Sequence, residues 1–382
     1  MTMLEQVRHC SFEKFENSLW LNKIRVNEKI FRIFVRKTSV SSVRKFFYIL
    51  SLFLCLSCVK EEIASSDTIN GNFEALWQLM DQRYCFFDYK KELLGVDWDE
   101  IHERYAAKLS PDMTRQQLFE VLCNMIGELR DGHVNLSAVY DLGRNWSYYE
   151  DYDRNYDEEV VDQYLGKGND YLIASSLKYR ILDDNIAYVR CESFENPFGD
   201  GNLSLMFDYL KGCNGLILDV RNNGGGSLDT ADKLASRFTN EKTLVGYVYH
   251  KTGKGHNDFS KPEPVYVTPS DGVRWQKKTV VLSNRETFSA ANDLVKSMKR
   301  FPDVTVMGDT TGGGSGMPFS QELPNGWGLR FSAVVFLDAD RQHTEFGIAP
   351  DIPVSLNPDD VLKGKDSIIE TARSFLNTGL SI

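Results

Sequence analysis

Apolar residues recur at helical spacing in the part of the chain that follows residue 71. The segment FEALWQLMDQRY places four apolar side chains on one helix face, at spacings of i, i+3, i+4 and i+7: Phe73, Leu76, Trp77 and Met80. Two further helices are predicted over 98–108 and 113–128, and the second begins with the capping-box pattern of Thr114 and Gln117. We therefore predict a helical subdomain over 72–137.

Beyond residue 180 the pattern changes to short apolar runs that alternate with amphipathic helical segments. The predicted elements are a hairpin turning at 183–185, a helix over 200–211, a strand over 215–220, a helix over 228–238, strands over 243–253 and 279–284, a helix over 289–300 and a strand over 303–309. The dipeptide Asn325-Gly326 predicts a two-residue hairpin turn. Strands that are apolar almost throughout are typical of a largely parallel sheet covered by helices. The pattern predicts an α/β core domain over 181–358.

Three other segments lack this regularity. Residues 59–71 are polar and are interpreted as a tether. Residues 138–180 are rich in Tyr, Asp and Asn without a clean period, so we predict an irregular connecting segment. Residues 359–382 are predicted to form a C-terminal helix or tail.

Residues 1–58 have the features of an export signal preceded by an N-terminal extension. The basic pair Arg44-Lys45 precedes a 12-residue apolar run that ends just before Cys58. A run of this length is short for a transmembrane helix and is typical of a secretory signal. Ser57-Cys58 resembles a bacterial lipoprotein cleavage site, which predicts lipidation of Cys58 and membrane tethering in the cell envelope. A plain signal peptide, or a membrane anchor without lipidation, is the alternative.

Charge and cysteine content limit the class of protein. The 382 residues carry a net charge of -10, which argues against nucleic acid as the main partner. Residues 1–57 carry a net charge of +6, so the remainder is strongly acidic. The exported part contains four cysteines, which permit two disulfides but form no C-x-x-C pair: Cys85, Cys123, Cys191 and Cys213. A cysteine nucleophile or a cysteine-rich zinc site is therefore not expected.

Three consecutive glycines follow a predicted buried strand in the segment LILDVRNNGGGS, residues 216–227. Glycine at a strand–helix turn permits positive φ and leaves backbone N–H groups open to an oxygen atom, which suits an oxyanion hole. The spacing differs from the dinucleotide fingerprint G-x-G-x-x-G, so it does not indicate a nucleotide site. From the glycines alone, a tight turn without a catalytic role is the simpler interpretation.

Ser289 lies in the segment SNRETFSAANDLV, between a predicted strand and a predicted helix. At a helix N-terminus, the dipole and the free N–H groups stabilise developing negative charge. Serine at this position is also an ordinary N-cap residue. Taken alone, the spacing favours an N-cap over a nucleophile.

An activated serine also requires a general base and a carboxylate. His133 lies in a D-G-H turn of the segment ELRDGHVNL, and Glu345 lies in HTEFGIAPDIPV. A histidine in a polar loop can take up a proton near neutral pH. The spacing leaves His343 open as the base, since residues i and i+2 of a strand point to the same face. The other competing histidines are His102, His250 and His256.

Together, five segments resemble the tail-specific (C-terminal processing) and tricorn-core serine protease family: ELRDGHVNL, LILDVRNNGGG, SNRETFSAANDLV, VTVMGDTTGGGSG and EFGIAPDIPV. The resemblance covers about 72–135 and 180–358. It implies a core related to the Clp protease and crotonase spiral folds, in which Ser289 attacks a peptide carbonyl. It also implies an oxyanion hole formed by the N–H groups of Gly225 and Ala290, with no metal and no organic cofactor.

One departure from the family pattern selects the mechanism. The lysine-dependent branch uses a Ser–Lys dyad, but Gly314 stands where that lysine would be. Lys296 and Lys299 follow Ser289 on the predicted helix and are expected to point away from it. The Ser–Lys mechanism is therefore not expected in this chain.

The tricorn-like branch uses Ser, His and Glu with a bridging serine. Ser289, His133 and Glu345 match its three catalytic positions, while Gly132 stands where the bridging serine would be. The peptide-binding PDZ module of many relatives is also missing, because 138–180 is too short to contain it.

The sequence therefore predicts a serine peptidase of the cell envelope that acts on peptide or protein substrates. The alternative is a catalytically inactive protein on the same fold that binds peptides or other ligands. A crotonase-like acyl-thioester enzyme is a weaker third interpretation, since an exported compartment contains little coenzyme A. With a histidine base, activity is expected to fall below about pH 6.

Overall fold

A computed structural model describes residues 66–168 and 170–378. The predicted lipidation site, Cys58, lies outside the described residues. Across the described ranges, no helix combines the length and apolar character needed to cross a membrane. All four cysteines of this part of the chain are free thiols.

The helical region begins at Thr68, whose side chain caps the first helix by accepting a hydrogen bond from the Gly71 N–H. Four helices follow: α1 Ile69–Arg83, α2 Phe87–Leu94, α3 Trp98–Ala106 and α4 Arg115–Gly127. Both hydrogen bonds of the capping box that begins α4 are present, which confirms that prediction. The sequence did not predict α2, because a helix of only eight residues is too short to show a clear period.

The rest of the chain forms two sheets and the helices that cover them. In chain order the elements are β1 Asn135–Ser137, β2 Leu142–Arg144, α5 Ser147–Glu150, α6 Glu158–Leu165, β3 Leu172–Ala174, β4 Leu177–Ile181, β5 Ile186–Cys191, α7 Asp200–Leu210, β6 Gly215–Asp219, α8 Leu228–Ala235, β7 Thr243–His250, β8 Glu263–Val267, β9 Thr279–Ser283, α9 Ala290–Met298, β10 Val304–Gly308, β11 Gly316–Glu322, β12 Gly328–Asp338, β13 Ile352–Pro353, α10 Pro358–Val361 and α11 Ser367–Thr378.

The larger sheet has the strand order β13-β10-β9-β6-β5-β4-β3. Its strands from β13 to β5 are parallel, while β4 and β3 are antiparallel to their neighbours. Apolar clusters cover both faces, one from α7, α8 and α9 and the other from α6 and α11. Every residue of β6 and β9 is buried, as expected for central strands of a parallel sheet. The predicted mixed α/β class with an N-terminal helical region is confirmed.

The second sheet has the order β2-β1-β12-β7-β8, and β11 pairs with β12. All its pairings are antiparallel, and the sequence did not predict it as a separate sheet. The predicted hairpin at Asn325-Gly326 joins β11 to β12, but the turn is longer than two residues. Only Gly326 has positive φ (84°), and its N–H donates to the Leu323 carbonyl, so the tight turn spans 323–326.

The segment 138–180 differs from the irregular segment that was predicted. It contains β2, α5, α6 and β3, together with the start of β4. Each element has at most eight residues, too few to show a period in the sequence. Tertiary packing stabilises them instead: Val161 and Leu165 of α6 are buried against the larger sheet.

Two loops at the carboxyl edge of the larger sheet are tied together. β6 and β9 are parallel neighbours, so the loops that follow them emerge side by side. The Asn222 N–H donates to the Asn284 side chain at 2.9 Å, and the Asn284 amide donates back to the Asn222 side chain at 2.6 Å. The Thr287 hydroxyl donates to the Val220 carbonyl at 3.0 Å. These bonds fix the glycine-rich loop against the segment that leads to Ser289.

Candidate active site

Ser289 occupies the N-cap position of α9, but its side chain does not cap the helix. Its backbone has φ 58° and ψ -121°, a strained conformation for a residue with a side chain, which costs about 1–3 kcal/mol. The Ser289 N–H donates to the Gly313 carbonyl at 2.9 Å and the Phe288 N–H donates to the Asn223 carbonyl at 3.0 Å, which hold this turn in place. The turn leaves the hydroxyl free for another partner.

That partner is His133. Its Nε2 lies 3.0 Å from the Ser289 Oγ, within hydrogen-bond distance. Burial lowers the pKa of His133 to about 4, Asp131 opposes this effect, and Arg330 and Arg144 add to it. The imidazole is therefore neutral at pH 7 and can accept the serine proton. The second nitrogen, Nδ1, is buried and has no hydrogen-bond partner among the described side chains, while a backbone interaction with Gly316 acts to raise the pKa of His133.

Asp131 is a buried carboxylate beside His133 that the sequence interpretation missed. It accepts hydrogen bonds from the His133 N–H at 2.7 Å, the Tyr84 hydroxyl at 3.0 Å and the Ser332 hydroxyl at 2.9 Å. Burial raises the pKa of Asp131, but Lys90, His133 and these donors outweigh burial and hold the pKa below its ordinary value. The signal was present in the D-G-H turn, where a carboxylate precedes the histidine by two residues.

Glu345 makes no hydrogen bond to His133. Its Oε1 accepts from the Lys90 ammonium at 3.2 Å, and its Oε2 accepts from the Ser315 N–H at 2.9 Å. Burial and then the charge of Asp131 raise the pKa of Glu345 to about 7, although Lys90 opposes them. Of the predicted triad, the structure thus brings Ser289 and His133 into contact and ties Glu345 to a lysine instead.

Lys90 is a cation of α2 that is completely buried. Besides its ion pair with Glu345, its ammonium lies 4.0 Å from the centre of the Phe346 ring. Its neighbour Lys91 has 63% of its side chain exposed and pairs with Asp97. Nothing in the pair Lys90-Lys91 indicates which lysine is buried, so the sequence could not identify the one that reaches the site.

The two glycines that depart from the family pattern both adjoin the Phe288 ring. A Cβ at Gly132 would lie 2.9 Å from the Phe288 ring and 3.0 Å from the Tyr148 ring, and one at Gly314 would lie 2.4 Å from the Phe288 ring. The Phe288 and Tyr148 rings stack with their centres 4.4 Å apart. These rings therefore fill the space that a bridging serine or a dyad lysine would need.

The glycine loop packs directly against the nucleophile. A Cβ at Gly225, where φ is 100°, would lie 2.7 Å from the Ser289 Cβ, so only glycine permits this approach. The Gly225 N–H donates to the Asn223 side chain at 2.9 Å. The N–H groups of Gly226 and Ala290 have no acceptor among the described residues.

The competing side chains lie elsewhere. His343 stacks on Tyr89 with ring centres 4.0 Å apart. His102 lies 3.0 Å from Glu74, and His256 lies 2.5 Å from Asp81. His250 ends β7 and is exposed. As for the helix lysines, Lys296 pairs with Asp293 and Lys299 pairs with Asp351, so neither contacts Ser289.

A cavity of about 320 Å³ opens beside Ser289. Gly226, Ser315 and Arg330 are among its polar lining residues, and Leu228 and Phe336 are among its apolar ones. The arrangement combines an accessible hydroxyl, a neutral imidazole and unpaired backbone N–H groups. These are the groups required for acyl transfer from an amide or ester to serine.

Family models match two parts of the chain. The model of Peptidase family S41 matches residues 185–354, and that of the Tricorn protease C1 domain matches residues 66–127. The carboxy-terminal processing protease CtpA of Bacillus subtilis is 28% identical over 178 residues, which cover 46% of this chain and 36% of CtpA. The chain spans about a third of the length of the curated relatives that it matches.

Solved structures resemble almost the whole described part of the chain. The crystal structure of a candidate peptidase from Parabacteroides merdae is 49% identical with a TM-score of 0.78, and the match covers 83% of this chain and all of that one. Mature CPAF has a TM-score of 0.65 at 13% identity, over 82% of this chain and 99% of its own, which is evidence for the fold alone.

Proposed function

The chain belongs to peptidase family S41, a family of serine-type peptidases, and from this premise we propose that it hydrolyses peptide bonds with Ser289 as nucleophile and His133 as general base. The resemblance found in the sequence is confirmed at the level of this family. Its assignment to the tricorn-like branch, without a catalytic lysine, is part of the proposal.

In the proposed mechanism, His133 Nε2 takes the proton of the Ser289 hydroxyl as Oγ attacks the carbonyl carbon. The proton then passes to the leaving amine, and water releases the acyl group by the reverse path. The 3.0 Å separation of Nε2 and Oγ supports this step. Asp131 stabilises the imidazolium, since its charge raises the pKa of His133. Glu345 does not contact His133 in this mechanism. It supports the site through its contacts with Lys90 and the Ser315 N–H.

Backbone N–H groups bind the oxyanion of the tetrahedral intermediate. Ala290 N–H is one donor, since it begins α9 and has no acceptor among the described residues. For the second donor we favour Gly226 over Gly225. The Gly225 N–H already donates to Asn223, whereas Gly226 lines the cavity beside Ser289. Gly225 supports the site through its close approach to Ser289. In known cases one such donor contributes about 3–4 kcal/mol.

We also propose that the α/β core is a variant of the Clp protease and crotonase spiral. Strands β5, β6, β9 and β10 lie side by side in chain order with helices between them, and this supports the proposal. Superposition of an experimental structure on a crotonase-type core would test it; strand connections that cannot be aligned would contradict it.

The single observation that carries the function is the hydrogen bond between His133 and a strained Ser289. A fluorophosphonate probe tests it, because such probes label an activated serine covalently. We expect labelling of the wild type and none of Ser289→Ala. Ser227→Ala is the matched control, since Ser227 lines the same cavity but caps α8. His133→Ala should lower kcat for a cleaved peptide by about 10²–10⁴-fold.

A catalytically inactive binding protein is the second candidate. Two observations favour it: no described side chain hydrogen-bonds to His133 Nδ1, and Gly132 stands where the bridging serine would be. The wild type would then bind peptides in the cavity, but it would neither react with the probe nor cleave any peptide. These results together would favour the binding protein over the peptidase.

The cell-envelope location is a proposal that depends on residues 1–58 alone. We propose that Cys58 is lipidated and tethers the protein to a membrane. Expression of the full chain in a bacterium fed with labelled palmitate tests this: the label should be incorporated by wild type and not by Cys58→Ala. Equal labelling of the two proteins would contradict the proposal.

A further inference from the structure

We propose that the cleft beside Ser289 contains a subsite in which Arg330, assisted by Arg144, binds a carboxylate of the substrate peptide. The inference rests on the proposed function, because it defines which peptides the site accepts. It would make Arg330 a specificity-determining residue.

The sheet register aligns the two arginine residues. Asn135 of β1 pairs with Arg330 of β12 on one side and with Arg144 of β2 on the other. Residues directly opposite one another on adjacent strands project from the same face. Arg144, Asn135 and Arg330 therefore form a row across three strands, and the Asn135 side chain donates to the His133 carbonyl at 3.1 Å. The row lies next to the catalytic base.

Arg330 is a half-buried cation without a counter-ion. It lines the same cavity as Ser289, and its guanidinium makes no hydrogen bond or ion pair with any described residue, although the charge of Asp131 acts on it. More deeply buried arginines of the molecule are paired: Arg221 with Asp219 and Asp366, and Arg237 with Asp200. A partly dehydrated guanidinium without a partner is unfavourable, and a bound carboxylate would satisfy it with two parallel hydrogen bonds.

Arg144 is held in position and also lacks a carboxylate partner among the described residues. Its Nε donates to the Gly132 carbonyl at 2.6 Å, and its guanidinium lies 4.0 Å from the Trp146 ring centre. Burial lowers the pKa of Arg330, the charge of Arg144 lowers it further, and Asp131 opposes them. An anion bound at Arg330 would relieve the repulsion between the two cations.

The rest of the cavity indicates a peptide with a single carboxylate. Asp229 and Asp293 line it as well, and they would repel a polyanion. Leu228, Met317 and Phe336 provide apolar surface for neighbouring side chains. Since the whole cavity measures about 320 Å³, the carboxylate would lie within a few residues of the bond that is cleaved. The carboxylate is either an Asp or Glu side chain or the carboxyl terminus of the peptide.

Binding to the Ser289→Ala variant tests the subsite without requiring turnover. The probes are nine-residue peptides of neutral residues that carry Glu or Gln at one position, each with a free or an amidated carboxyl terminus. Affinity is measured by calorimetry. We expect a peptide with the recognised carboxylate to bind about 10- to 100-fold more tightly than its neutral counterpart. A preference for Glu over Gln identifies a side chain, and a preference for the free terminus identifies the terminal carboxylate.

The same measurement is repeated with Arg330→Gln, Arg330→Lys and Arg154→Gln added to Ser289→Ala. Arg330→Gln should abolish the preference, and Arg330→Lys should retain part of it because the charge remains without the planar fork. Arg154→Gln is the matched control: it also removes one positive charge, from an exposed residue, and should change nothing. Thermal unfolding verifies that each variant is folded.

Any of three results would overturn the inference. They are equal affinity for charged and neutral peptides, absence of binding to every peptide, and a preference that survives Arg330→Gln. Failure of the proposed function would be seen separately, as absence of fluorophosphonate labelling of the wild type. A carboxylate preference in a protein that does not react with the probe would therefore retain the subsite and reject the catalysis.

Discussion

Two groups of charged residues near the Ser289–His133 pair differ in how their charges are satisfied. On the cleft side, the Arg330 guanidinium reaches the cavity without a partner among the described residues. In the protein interior, Lys90, Glu345 and Asp131 are at most 4% exposed, and each has at least one charged or hydrogen-bonding partner. We call these three residues the buried ionic network.

The difference separates charges that maintain the site from charges that are available to a ligand. A buried ion is tolerated only when other groups replace its water. The residues of the buried ionic network therefore bind one another and are not open to a ligand. An unpaired ion in an open cleft keeps part of its hydration and can exchange it for a ligand. The helical region also contributes to the site itself, because Lys90 and the Asp131 partner Tyr84 both come from residues 66–127, which match the Tricorn C1 model.

Removing the cation of the buried ionic network should have the largest effect. Lys90→Met keeps most of the apolar stem but leaves Glu345 and Asp131 without their cation. We expect a loss of about 3–5 kcal/mol in the free energy of unfolding, measured by urea denaturation. Lys91→Met, one residue away on the same helix, should leave the denaturation midpoint unchanged because its ion pair is exposed. Similar losses in both variants would show that the network does not differ from a surface pair.

The pH dependence of activity should differ from that of an exposed histidine. The pKa of His133 is about 4 because burial disfavours the charged imidazole. kcat/KM should therefore persist at pH 5 and fall as the pH drops through about 4, below the value of about 6 expected from the sequence. A pH–rate profile checks this, with circular dichroism to confirm that the protein stays folded. An acid limb near pH 6.5 would mean that the base is far more hydrated than this geometry allows.

Restoring the bridging serine should destabilise the protein. In Gly132→Ser the new side chain meets the Phe288 and Tyr148 rings, and overpacking of this kind costs about 1–3 kcal/mol. Gly127→Ser is the matched control, because a Cβ there meets no atom within 4 Å. Thermal denaturation compares the two. A Gly132→Ser variant as stable as the control, with a raised kcat, would show that the rings move aside and that the bridge is recoverable.

The final prediction concerns how the free energy of unfolding depends on pH. The folded pKa of Glu345 is about 7 and its ordinary value is 4.5, so between these pH values the folded protein retains a proton that the unfolded chain has lost. Stability from this group therefore decreases as the pH rises from 4.5 to 7. As the pH rises from 4.5 to 7, the free energy of unfolding of Glu345→Gln should therefore increase relative to that of the wild type.

His133 changes the free energy of unfolding with pH in the opposite direction. Its folded pKa is below its ordinary value, so its contribution is present above pH 6.5 and is lost as the pH falls through about 4. This term is common to wild type and Glu345→Gln and cancels in their difference. Urea denaturation of both proteins at several pH values measures that difference. A difference that stays constant between pH 4.5 and 7 would contradict the raised pKa of Glu345.

Much of the local structure followed from local patterns. The apolar period predicted α1, α3 and α4, the Thr114–Gln117 pair predicted the start of α4, and continuous apolar runs predicted β6 and β9. Short elements such as α2 and α6 were not predicted, because tertiary packing rather than their own sequence stabilises them. The antiparallel sheet was not predicted either, since its strands are distant in the chain.

For this protein, the sequence by itself determined the family and the α/β class, because motifs and periodicity are local properties of a chain. Its resemblance to that family, and not the spacing alone, indicated the two groups that meet, Ser289 and His133. Only the tertiary structure decided which carboxylate accompanies the base, which lysine is buried, why Gly132 and Gly314 lack side chains, and that Arg330 faces the cleft unpaired. These features depend on which residues, distant in the chain, pack together and so exclude water. Burial and charge pairing arise from the assembled fold. They set the pKa values of the site and determine which groups remain unpaired, and the chemistry follows from both.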